Sequence, residues 1–242
     1  MGRAGLRRQF CALPANRERE WTTSQIGAVP SIRLMTDAAV FVSLRRRDGV
    51  SEGMTIDLDR AVLLPVDMQQ AFDGPPWPRR WNEQVDANGL ALLKAWRTTG
   101  RPIAHVRHDS AQQGSSLAPG MPGNAFRPGF EPLEGEQLVT KSVNSAFIGT
   151  DLELRLKRLG ARHVVTFGIS TDMCVSTTVR TGANMGWDMI LVPDACDCFD
   201  LPDGQGGTIS AEEVQRAHVA TLAFEFCQTM ATAELTGLRA AA

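Results

Sequence analysis

Residues 61–66, Ala-Val-Leu-Leu-Pro-Val, form an uninterrupted apolar run of strand length that ends in Asp67. A strand with no polar alternation has no face to offer water, so it belongs in a sheet covered on both sides. Further short runs at 102–106, 137–141, 163–167, 189–192 and 225–229 alternate with stretches of helical period. One helical stretch spans 82–98, with Val85, Leu92, Leu93 and Trp96 on one face and Gly100 as its stop. Asp151 leads another, with Leu152, Leu156 and Leu159 at core spacing. A third follows Cys174 to about Asn184, a fourth opens near Ser210, and a last one runs to about Leu238. Ser210 with Glu213 three residues on makes a capping box. This alternation predicts an α/β fold, a three-layer α-β-α sandwich around an open, mostly parallel sheet of about six strands. Pro65 can sit in the first strand only if its missing amide faces a gap in the ladder or the strand bends there. The long loop 108–137, rich in Gly, Pro and Ser, reads as a lid or binding loop.

The chain of 242 residues is 43% hydrophobic and 21% charged, which suits one domain with a sizeable core. A formal net charge of −2 gives no electrostatic case for nucleic acid or an anionic membrane as partner. No apolar run reaches the ~18 residues needed to span a bilayer. The five cysteines are odd in number and lie mostly in apolar or helical stretches, which is not the pattern of a secreted disulfide framework and points to a reducing cytoplasm. Residues 1–53 differ in texture: Arg-rich, with only 38–44 able to form a short strand. They read as a poorly ordered extension, or as the product of an upstream start with Met54 as the working one; residues 54–242 then form the folded domain. Arg7-Arg8-Gln9-Phe10 resembles a twin-arginine export signal, but Pro14, Asn16 and the Arg/Glu alternation leave no apolar segment behind it.

Three ionisable residues fall at strand ends, where open parallel sheets place their sites: Asp67, Lys141 and Cys174. Cys174 comes just after the Gly168 turn and before a helix, where helix N-terminal amides favour a thiolate. Each residue alone has a plainer reading: a buried thiol, a helix cap, a surface charge. Together they make a chemical set. The carboxylate takes the thiol proton, the ammonium holds both and lowers the thiol pKa, and the thiolate attacks a carbonyl.

Three motifs extend this reading: Val66-Asp67-Met68-Gln69-Gln70-Ala71-Phe72, the run from Lys141 to Leu152, and Gly168-Ile169-Ser170-Thr171-Asp172-Met173-Cys174-Val175. Jointly, over about residues 59–238, they resemble the isochorismatase-like cysteine hydrolase superfamily, which includes nicotinamidases and N-carbamoylsarcosine amidase. The resemblance implies a Rossmann-like sheet and a catalytic triad of Asp67, Lys141 and Cys174. It also implies a non-proline cis peptide at Ile169-Ser170 that aims the Ser170 and Cys174 amides into an oxyanion hole. The nicotinamidases' metal-binding Asp-x-His element is replaced here by Val106-Arg107-His108-Asp109-Ser110, so neither metal nor cofactor is expected, although His105 and His108 form an i, i+3 pair. Isochorismatase proper cleaves a vinyl ether and can lack the cysteine; retention of Cys174 points to thioester chemistry. Phe72, Trp77, Trp81, His108, Phe126, Phe147 and Thr171 are the candidate substrate-binding residues. Arg79, Arg80, Arg107 and Arg127 are either solvated charges or a welcome for an anionic substrate. The expectation is a cysteine-dependent amidohydrolase of a small carboxamide, carbamoyl or lactam group, acting as a homo-oligomer. The alternatives are a vinyl-ether hydrolase or a catalytically silent scaffold.

Overall fold

The computed structural model describes residues 56–237. The expectations for residues 1–53, including a short strand at 38–44, lie outside the described residues. Eight strands and five α-helices follow in order: β1 Ala61–Val66, α1 Val85–Thr98, β2 Ala104–His108, β3 Gln137–Lys141, α2 Leu152–Arg158, β4 His163–Gly168, α3 Ser176–Asn184, β5 Asp188–Leu191, β6 Leu201–Pro202, β7 Thr208–Ile209, α4 Ala211–Glu225, β8 Gln228–Thr229 and α5 Thr232–Gly237. Six of the strands form one parallel sheet in the order β3-β2-β1-β4-β5-β8. Helix α1 packs against α5, and α3 against α4, flanking the sheet as parallel crossovers require. This is the expected three-layer α/β sandwich.

Every residue of β1 is buried, as its continuous apolar run requires, and so is every residue of its neighbour β4. Pro65 sits in β1 without breaking it. Leu63 N donates to Pro102 O (3.1 Å) and Asp67 N to Val106 O (3.0 Å), so the missing amide falls in the one slot between them on the β2 side. On the β4 side pairing is continuous from Ala61 with His163 to Val66 with Gly168. Trp96 fixes α1 from inside: its ring is fully buried and its indole N–H donates to Ala61 O at 3.3 Å. The capping box at the start of α4 forms in full, with Ser210 and Glu213 exchanging bonds.

The chain runs from β1 outward to β3, then returns past β1 to β4 and continues the other way. The order therefore reverses between β1 and β4, the place where sheets of this kind open a crevice beyond the carboxyl ends of their strands. Asp67 follows β1, and Gly168 ends β4. The small β6–β7 hairpin lay hidden in the sequence because its strands are only two residues long.

Candidate active site

Three strand ends meet at that crevice. Asp67 and Lys141 have fully buried side chains, and Lys141 Nζ donates to Asp67 Oδ2 at 2.6 Å, to His108 Nδ1 at 2.9 Å and to Cys174 Sγ at 3.3 Å. An ammonium has three protons to give, and each finds an acceptor. The register explains the convergence: His108 pairs with Lys141 across β2 and β3, and Val66 pairs with Gly168 across β1 and β4. Asp67 adopts φ 53°, a left-handed conformation that Asp tolerates better than most residues and that turns the chain sharply out of β1. Gly168 is required by close approach: at φ 140° a Cβ would collide with Val66 O and lie 2.8 Å from the Val66 carbonyl carbon. The Ile169–Ser170 peptide is cis. Cys174 sits inside a π turn, Thr171–Val175, in which Val175 N donates to Ser170 O at 3.1 Å. Alpha-helical geometry begins only at Ser176.

The electrostatics differ from the expectation in one respect. Burial pushes the Cys174 thiol well above its ordinary range, the Asp67 charge pushes it further, and Lys141 opposes only in part. Lys141 does lower the thiol pKa, as expected, but the net shift is upward, because desolvation of a thiolate outweighs one ammonium already shared with a carboxylate. Burial raises the Asp67 carboxyl too, against the pull of Lys141. Its Oδ1 atom is buried with no hydrogen-bond partner among the described residues. A carboxylate made more basic by burial, with an oxygen within 4.8 Å of a resting thiol, is arranged to receive that thiol's proton.

The comparisons with known proteins agree with this layout. The isochorismatase domain model matches residues 61–234. YrdC of Bacillus subtilis (strain 168), an uncharacterised isochorismatase family protein, is 35% identical over 177 residues, covering 73% of this chain and 95% of its own. The chain belongs to the isochorismatase family. A crystal structure of an isochorismatase-family protein from Chromobacterium violaceum ATCC 12472 superposes with a TM-score of 0.71 at 42% identity, over 74% of this chain and 92% of that one. A streptothricin hydrolase of Streptomyces noursei is 30% identical over 183 residues, covering 71% of this chain and 70% of that protein. The chain is thus an isochorismatase-family hydrolase.

Within this isochorismatase-family fold the other expected residues make mostly packing contacts, and Phe72 is buried in the main core. Phe72, Trp77 and Phe199 form an aromatic cluster, with Trp77 stacked on Phe199 at 4.8 Å and tilted against Phe72 at 4.9 Å. Trp77 is partly exposed, and Phe199 was not among the expected residues. Phe126, half-buried, lies edge-on to His105. Trp81 joins a small separate core with Cys198, Ala211 and Val214. Phe147 has its ring against Gly182 in α3, and Thr171 is fully buried with its N–H and hydroxyl both on Asp197 O. Trp81, Phe147 and Thr171 thus each make packing or backbone contacts. Ser170 is buried, and its Oγ has no partner among the described residues.

The two histidines do not pair. Three positions apart on a strand, they point to opposite faces: His105 Nε2 bonds Glu136 at 2.7 Å, while His108 turns to Lys141. The donor atoms of Asp67, His108 and Cys174 lie within 4.8 Å of one another, but the Lys141 ammonium stands among them and a divalent cation would have to displace it. Cys196 and Cys198 are buried, with their thiols on Val192 O and Ala211 O. The four arginines are held by carboxylates: Arg79 by Asp200 and Glu212, Arg80 by Asp73 and Asp197, Arg107 by Asp109, and Arg127 by Asp73 and Asp86.

Three polar residues of the site escaped the reading of the sequence. Gln69, fully buried, accepts from His108 N at 2.8 Å and donates to His108 O and Asn124 O. Asn124 donates to His108 O, Asp109 and Leu117 O, so it ties the loop after β2 to the site. Asn144, exposed beyond β3, brings Nδ2 to 3.8 Å from Cys174 Sγ. Gln69 and Asn144 both lie inside the motifs quoted above, which was the available signal; Asn124 had none.

Proposed function

We propose that the chain is a cysteine-dependent amidohydrolase that cleaves the C–N bond of a small carboxamide, carbamoyl or lactam group through a thioester. The observation that carries this reading is the buried Lys141 ammonium bonded to both the Asp67 carboxylate and the Cys174 thiol. Asp67 takes the Cys174 proton as the sulfur bonds to the substrate carbonyl carbon, so the thiolate forms only in the act of attack. The carbonyl oxygen becomes an oxyanion, received by the Ser170 and Cys174 amides; one such donor is worth about 2.7–4 kcal/mol. The intermediate collapses, the C–N bond breaks, and Asp67 returns its proton to the departing nitrogen. Water then enters, gives a proton to Asp67, and adds to the thioester; the C–S bond breaks, and Asp67 reprotonates the sulfur. Lys141 holds Asp67 and sulfur together throughout and itself transfers no proton. The aromatic cluster of Phe72, Trp77 and Phe199 suits a small organic substrate.

The test is a screen of carboxamides, ureides and lactams with ammonia or amine release as readout, run beside Cys174→Ala. A hit that loses turnover in Cys174→Ala and leaves an acyl adduct on the wild-type protein by intact mass supports the reading. Undiminished turnover in Cys174→Ala refutes it. Turnover of a vinyl ether with no acyl adduct would place the chain with the ether-cleaving members instead.

A further inference from the structure

His108 is the third acceptor of Lys141, and the reaction just described gives it no task. Its placement is unusually well determined. Its backbone N–H is bonded to Gln69 Oε1, and its carbonyl receives Gln69 Nε2 at 3.1 Å and Asn124 Nδ2 at 3.0 Å. Residues that clamp both backbone groups of one strand-end residue leave its side chain little choice of direction. The ring points Nδ1 at the Lys141 ammonium, 2.9 Å away.

That contact decides the tautomer. An ammonium has only protons to offer, so Nδ1 must present its lone pair, and the neutral ring must carry its proton on Nε2. Lys141 and Asp67 have no exposure on the Nδ1 side, whereas 15% of the His108 side chain is exposed. The partly exposed ring thus turns Nδ1 inward to Lys141. The charged groups facing the ring are Lys141, Asp67 at 4.0 Å from Nδ1, and Asp109, itself paired with Arg107; the Cys174 sulfur lies within the same cluster. Burial and Lys141 both hold the imidazole below its ordinary pKa, so it is neutral at neutral pH.

We propose that His108 is a positioning residue for Lys141: its Nδ1 lone pair fixes the ammonium between Asp67 and Cys174, and its Nε2–H faces the entering carbonyl compound as a donor. The inference rests on the cysteine-hydrolase reading, since it assumes that Lys141 must be held for Cys174 to react. Protonating the ring removes the acceptor and sets a second cation against the ammonium. Attack by Cys174 thus requires Asp67 ionised and His108 neutral, two conditions that fail together on the acid side.

Iodoacetamide tests this without a known substrate, because it is itself a small carboxamide. Its alkylation of Cys174 releases iodide and leaves the thiol proton on Asp67. The rate is followed by intact mass and peptide mapping from pH 5 to 9 in wild type, His108→Ala, His108→Asn and His108→Gln. Asn places an acceptor near the position of Nδ1 without the titratable ring; Gln places its amide near Nε2 and leaves the inner position empty. At pH 7, Ala and Gln are expected to slow alkylation by about tenfold, and Asn by less than about threefold. On the acid side the wild-type rate should fall more steeply than that of His108→Asn, because one of the two protonations has been removed. The 15N spectrum of the wild-type imidazole should show a protonated Nε2. Equal losses in Asn and Ala, or identical acid limbs in all four proteins, overturn the inference while the nucleophile reading stands. A wild-type Cys174 that reacts no faster than the buried Cys196 overturns both.

Discussion

The buried pair of Asp67 and Lys141 makes a prediction about stability that is separate from catalysis. Lys141→Met keeps the length of the stem and removes the charge, leaving a carboxylate with no exposed surface and no counter-ion. Breaking one side of such a pair costs about 3–5 kcal/mol. The protein has a partial escape, because Asp67 can take up a proton. Its folded pKa already lies above the ordinary value through burial, and loss of Lys141 raises it further. For an acid whose folded pKa exceeds its unfolded one, stability is fully present below the unfolded pKa and is lost as pH rises through the folded pKa. The deficit of Lys141→Met should therefore be largest at pH 7 and above and should shrink on acidification, by at most about 1.4 kcal/mol per pH unit for one proton. Between pH 7 and pH 5 that recovers up to about 2.7 kcal/mol. Asp67→Asn/Lys141→Met, lacking both charges, should come within about 1–2 kcal/mol of wild type at every pH. Urea denaturation of the three proteins at pH 5, 6 and 7 measures this through the midpoint and slope. A deficit in Lys141→Met that does not vary with pH, or a double variant no more stable than the single one, would show that the pair is not what burial and distance say it is.

Other expectations follow from single contacts. Gly168→Ala forces a Cβ into the Val66 carbonyl at a positive φ and should cost more than about 3 kcal/mol, read as a fall in urea midpoint and as loss of any hydrolytic activity. Gln69→Leu removes the partner of His108 N and should destabilise by about 1–3 kcal/mol while slowing alkylation of Cys174 more than a distant core change of equal cost would. Cys196, buried and pushed up to about 12, should stay unmodified by iodoacetamide in the folded protein at pH 8, as peptide mapping would reveal. Arg127→Met unpairs Asp86 and leaves Asp73 with Arg80 alone; it should lower the urea midpoint, and Asp86→Asn in the same chain should restore part of that loss.

Much of the framework was legible because it depends on local pattern. Strand β3 begins and ends where its sequence says, β1 matches its apolar run, and the capping box closes on Ser210 and Glu213. Strand β2 slid two residues toward its carboxyl end, from 102–106 to Ala104–His108, because its limits are set by pairing with β3. That slide brings His108 level with Lys141. Asp67, Lys141 and Cys174 could be brought together in advance because parallel strands deliver their ends to one crevice. What the sequence could not reveal depends on neighbours far apart in the chain. Gln69 meets Asn124 across 55 positions, and Arg79 meets Glu212 across 133. The thiol was misjudged for a related reason: a nearby lysine is visible in a motif, but the burial that outweighs it exists only once the chain has folded. Among the described residues no helix is long and apolar enough to cross a membrane, as the absence of long apolar runs had suggested.

The left-handed turn at Asp67 affects how any mutational survey of this chain should be scored. At φ 53° a replacement is judged twice, once by its backbone and once by its head group. Glu keeps the charge but carries it one carbon further on a residue less at ease in that conformation, and Ala loses both qualities. Asn shares with Asp the shape and the tolerance for that region, and exchanges the charge and one acceptor oxygen for a neutral NH2. A survey that finds position 67 intolerant to nineteen substitutions has therefore measured a mixture, and the Asn variant is the member of the set whose defect belongs to the head group, as the lost base and the unpaired Lys141, rather than to the backbone.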